Sequence, residues 1–109
     1  MSTVRELLEQ AAKAADEGIV FYGECLRAQT GREWNPLTDD GDALRLAVKL
    51  EIQVWRNTDG TVSGVAPGTG FWNRPCESLW PDPYAATRRA IVLAAAQIGK
   101  TNQPGEAHG

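Results

Sequence analysis

Histidine is nearly missing from this chain. The single His108 lies in the polar segment "TNQPGEAHG" at the end of the sequence. Ser-His-Asp and Cys-His catalysis need an imidazole held within hydrogen-bond reach of a nucleophile. His108 therefore reads as solvated, and neither Cys25 nor Cys76 has an evident base. Cysteine is scarce too, with two residues far apart. A structural zinc site takes about four Cys or His ligands, so no zinc centre is expected, and the two thiols read as reduced and mostly structural, with a single disulfide as the alternative.

An excess of positive charge is also absent. Eleven basic residues stand against 14 acidic ones, for a net charge of -3. A general nucleic-acid binder displaces counterions from phosphates with basic surface, so nucleic acid is not an expected partner. No apolar run approaches the ~20 residues that cross a bilayer. The opening "MSTVRELLEQ" is charged and helical rather than an apolar signal core. These features give the expectation of a cytoplasmic protein. Phosphate-binding glycine loops are missing as well: "GVAPGTG" lacks the Lys-Ser/Thr of a P-loop and the spacing of a dinucleotide fingerprint.

What is present is an ordinary globular composition, 42% hydrophobic and 23% charged. At 109 residues the chain suits one domain. Thr3 and Glu6 form a capping box. Val4, Leu7, Leu8, Ala11, Ala12 and Ala15 then make one helical stripe, which Gly18 is expected to stop. "IVFYGECLR" reads as a strand from Ile19 to about Arg27, with a short hairpin as the alternative. After the Asn35-Pro36 break, a second helix runs to about Leu50, its apolar face assigned to Leu44, Ala47 and Val48. "EIQVWR" alternates, with Ile52 and Val54 on one face. "NTDG" reads as a hairpin turn, and "TVSGV" returns as the partner strand.

Residues 66–81 form the longest stretch read as irregular. Asp82 then caps and Pro83 opens a last helix, with Tyr84, Ile91, Ala94, Ala95 and Ile98 on its apolar face and Gly99 as its stop. The expectation is an α+β fold: three or four antiparallel strands packed with three helices, α/β/α sandwich-like, in the order α-β(β)-α-β-β-α. Residues 1–100 form the domain and 101–109 a mobile polar tail.

Three places invite chemistry. The first is the acidic cluster Asp39, Asp40 and Asp42. Counted as a calcium loop from Asp40 it fails, because Leu44 and Arg45 occupy positions that need an oxygen ligand and a glycine. Carboxylates at a helix start are favoured by capping and by the helix dipole. A helix start is the expected reading, and a metal-dependent enzyme built on this cluster the alternative. The second place is Arg88 and Arg89, with Arg74 upstream, which suit a small anionic ligand such as a nucleotide; the competing reading is a solvated helix face. The third is "FWNRPCESLW". Phe71, Trp72, Arg74 and Trp80 are residue types that dominate binding hot spots. Trp72 and Trp80 either dock a partner or fold back over an open sheet face.

"WNPLTDDGDALRLAVKL", followed by a hairpin and "DPYAATRRAIVLAAAQIGK", resembles small proteins of tailed bacteriophages and prophages grouped as a phage α/β/α sandwich domain family. The resembling segments, 34–50 and 82–100, cover about a third of the chain. The resemblance implies phage or prophage origin, expression inside a bacterium and an α+β sandwich. It assigns no activity and transfers no catalytic residue. The missing catalytic constellation and the Trp-rich loop give the expectation of a non-enzymatic accessory protein. It would use no cofactor and no membrane, and its partner would be a host or phage protein or a second copy of the chain.

Overall fold

The computed structural model describes residues 4–15, 19–22, 25–27, 32–67 and 76–101. The elements run α1 (Val4–Ala15), β1 (Val20–Tyr22), β2 (Cys25–Arg27), β3 (Glu33–Trp34), α2 (Asp40–Leu50), β4 (Gln53–Arg56), β5 (Thr61–Val65), β6 (Cys76–Ser78) and α3 (Pro83–Thr101). Three helices and small antiparallel sheets make the fold α+β, as the sequence pattern predicts. Thr3, Gly18, Phe71, Trp72, Arg74 and the expected tail from residue 102 lie outside the described residues.

Two three-stranded antiparallel sheets are present among the described residues, ordered β1-β2-β3 and β4-β5-β6. The segment from Ile19 to Arg27 is the hairpin and not one strand, with Tyr22 opposite Cys25 and Val20 opposite Arg27. Trp34 pairs with Leu26 and is buried. The sixth strand, Cys76–Ser78, falls inside the stretch read as irregular. It pairs with β5, and Val62 stands opposite Glu77. Its three residues carry no strand periodicity of their own, so only the neighbouring strand makes them one.

Local signals set the helix ends. Asp39, at φ -117° and ψ 118°, accepts the Asp42 amide and starts α2. Glu51 ends it in the left-handed region at φ 57°. The Ile52 amide returns to the Ala47 carbonyl, closing the C-terminus. Ile52 therefore belongs to the helix exit and is buried, whereas Val54 on β4 is exposed. The two do not share a sheet face as the alternation suggested. In α3, Asp82 accepts the Tyr84 and Ala85 amides at 3.1 Å, with Pro83 in the first helical position.

Helix α3 is the hub. It packs on α1, on α2 and on β4-β5-β6. The core joins Leu8, Ala11, Ala12 and Ala15 to Leu46, Ala47, Ile91, Val92 and Ala95, with a satellite of Val62, Leu79, Ala86 and Ala90 beneath the sheet. Two glycines let α3 come close. A methyl group on Gly64 would sit 2.5 Å from the Ala90 carbonyl oxygen, and one on Gly99 would overlap the Gln10 carbonyl of α1. Gly99 does not stop α3, which continues to Thr101. It is the contact point with α1, and its use is steric.

Candidate functional site

The turn before α2 is built by side chains. Asn35 Oδ1 accepts the Leu37 amide at 3.0 Å, and Asp42, buried on the first turn of α2, accepts the Asn35 amide at 2.9 Å. Arg32 donates to Asp42 at 2.9 Å and Arg45 at 2.7 Å. Burial alone would push the Asp42 carboxyl up. The Asn35 amide and the two guanidiniums outweigh it and hold the group below its ordinary value.

The acidic cluster thus divides into three tasks. Asp39 caps, Asp42 anchors the preceding turn, and Asp40 turns outward to Arg88 of α3 at 2.6 Å. Among the described residues no three Asp, Glu, Cys or His side chains gather where they could hold a metal ion. Arg88 also donates to the Leu37 carbonyl at 2.8 Å, while Arg89 pairs with Glu77 of β6 at 3.3 Å. The two arginines expected to share an anion point to different elements, each already facing a carboxylate.

Where α2, α3 and β4 meet, a groove of about 450 Å³ opens. Ala43 and Leu44 of α2 and Tyr84 and Ile91 of α3 make its apolar walls. Asp40, Thr87, Arg88 and Arg56 supply the polar atoms. This volume lies in the range of sites that hold small molecules or side chains of a partner. Around it, large apolar side chains stand in solvent: Leu44 is 64% exposed, Val48 70% and Tyr84 71%. Val48 follows Leu44 by one helical turn, on the same face of α2.

Val54 extends this surface onto the sheet. It pairs with Gly64, whose missing side chain would meet α3. Directly opposed residues of an antiparallel pair project to the same side, so Val54 projects to the α3 side of the edge strand. Arg56, two residues on, shares that side and lines the groove.

Spacing puts Leu44 and Val48 on the apolar face of α2 and Tyr84 on that of α3, and the structure leaves all three exposed. On α2 the apolar positions 43, 44, 46, 47, 48 and 50 sweep roughly 200° of the helix at 100° per residue. The core takes only the half that carries Ala43, Leu46 and Ala47. The surplus arc was the signal in the sequence for an exposed apolar face. Tyr84 lies in the first turn of α3, at the groove.

Of the aromatic residues proposed for partner binding, Trp80 is described and is 71% exposed. It does not fold back over a sheet face. Cys76 is exposed, and its sulfur lies 3.1 Å from the Ser63 hydroxyl. No helix of the described residues is long and apolar enough to cross a membrane. Comparison of the chain with protein-family models, with curated proteins and with solved structures found no match in any of the three.

Proposed function

We propose that this protein is a non-enzymatic interaction module that seats a segment of a partner protein in the groove between α2, α3 and β4. The observation that carries the reading is the apolar rim. Leu44, Val48, Val54 and Tyr84 expose apolar surface on adjoining elements around one concavity, and patches of this kind mark interaction sites. A host or phage protein as the partner, and an accessory role in the cytoplasm of an infected bacterium, rest on the sequence resemblance of residues 34–50 and 82–100.

A small anionic ligand is the second reading, favoured by Arg56 in the groove wall. The apolar surface argues for a chain segment instead. Val48 and Val54 lie beyond the lining of the cavity, so a molecule filling only the cavity leaves them bare. Photocrosslinking from a benzoylphenylalanine at Tyr84, in bacteria carrying the gene, tests the proposal. A crosslinked protein whose purified form binds the wild type and not Leu44→Arg is the expected result. A partner that binds Leu44→Arg equally well removes the groove from the function.

A further inference from the structure

We infer that the segment accepted by the groove is an acidic amphipathic one, with a carboxylate facing Arg56 and apolar side chains beside Leu44 and Tyr84. The inference rests on the groove being the partner site. Among the described Lys and Arg side chains, Arg56 alone makes no hydrogen bond, ion pair, ring contact or other electrostatic interaction. Its neighbours in the groove wall leave it uncompensated, because Asp40 and Arg88 neutralise one another at 2.6 Å. The chain as a whole is acidic, at -3, so the groove is a local positive site on a negative molecule.

Desolvation turns that single charge into a selector. A wholly apolar segment laid over Leu44 and Tyr84 would strip water from Arg56 and return nothing, which is unfavourable for a charged group. A segment that brings an Asp or Glu to the guanidinium replaces the lost water with a charge-assisted hydrogen bond. The apolar rim supplies the attraction and Arg56 rejects segments without an acid. Arg56 lies on an edge strand, with Val62 opposite it on the α3 side. Its backbone is therefore held by the β4–β5 ladder while its side chain remains open to a partner.

The test is selection from a displayed library of random peptides, with wild-type protein as bait and Leu44→Arg for counter-selection. Peptides that survive are titrated against wild type and Arg56→Gln. Leu44 and Arg56 are both exposed, and circular dichroism verifies that each variant keeps the fold. Surviving peptides are expected to contain an Asp or Glu. Changing it to Asn or Gln should weaken binding to wild type at least roughly tenfold, and change binding to Arg56→Gln little. Surviving peptides without an acid, or with equal affinity for both proteins, overturn the carboxylate inference and leave the groove reading standing. If no peptide distinguishes wild type from Leu44→Arg, both fall. Two further measurements identify other occupants. Sodium decanoate that stabilises wild type but not Arg56→Gln, where no peptide does, would make the ligand a small amphiphile. Self-association in sedimentation that Leu44→Arg abolishes would make it a second copy, and either result overturns the inference.

Discussion

Arg88, from the second turn of α3, reaches the start of α2 and holds it twice, donating Nε to the Leu37 carbonyl at 2.8 Å and Nη1 to Asp40 at 2.6 Å. One wall of the groove is thereby tied to the other. The two bonds differ in environment, since the Asp40 carboxylate is exposed and Arg88 is mostly buried. Exposed ion pairs contribute little, at most about 1 kcal/mol. A carbonyl deprived of its partner costs about 1–3 kcal/mol. Urea unfolding should therefore show Arg88→Ala losing about 1–3 kcal/mol and Asp40→Asn less than about 1 kcal/mol. Lysine at position 88 should not restore stability, because a single ammonium does not reproduce the two-directional guanidinium.

Asp42 couples stability to acid. Its folded-state carboxyl titrates below its ordinary value, whereas in the unfolded chain an Asp titrates near pH 4. The native state thus holds the proton less tightly. The stabilisation is fully present above about pH 4 and is lost as pH falls through the depressed native value. Asp42→Asn should cost about 1.5–3 kcal/mol at neutral pH. It should also flatten the fall in stability on acidification, read from urea midpoints between neutral pH and about pH 3. A variant with the wild-type acid slope would show that Asp42 is not the group responsible.

Three glycines serve two different purposes, and alanine separates them. At Gly99 and Gly64 the added methyl group meets backbone of a neighbouring element. Each should cost about 1–3 kcal/mol or more, with Gly99→Ala the larger because α1 and α3 must part. Gly60, at φ +87° in the β4–β5 turn, has nothing within 4 Å. Its substitution costs only backbone strain, about 1–2 kcal/mol. Thermal denaturation of the three variants gives the order.

Two leucines on one helix should behave oppositely. Leu46 is buried between α2 and the core, and Leu46→Ala should cost about 2–5 kcal/mol. Leu44 is exposed at the groove, and Leu44→Arg should change stability by less than about 0.5 kcal/mol. A large loss at Leu44 would place it in the core and close the groove as a docking site.

Whatever depended on a few neighbouring residues could be read directly from the chain. The start of α2 within the acidic cluster, the Asp82-Pro83 start, the "NTDG" turn and the three amphipathic helices each close their own hydrogen bonds locally, so residue type and spacing were enough to find them. The α+β class followed from their order. Contacts far apart in sequence were not legible. Cys76–Ser78 is a strand only because β5 lies beside it. Gly99 resembled a helix stop and proved to be the place where α1 presses on α3. Asp42 looked like one more acid at a helix start until Arg32 and the Asn35 amide converged on it.

The groove belongs to the second group. Sequence alone determined that α2 has more apolar positions than one buried face needs, because periodicity counts residues around a helix. Only the tertiary structure decided which half of that arc the core would take. Ala43, Leu46 and Ala47 join Ile91 and Ala95 in the core, while Leu44, Val48 and Tyr84 face water and Leu44 and Tyr84 share the groove lining with Arg56. Burial is assigned by whatever element arrives opposite, and that choice is made across the whole fold.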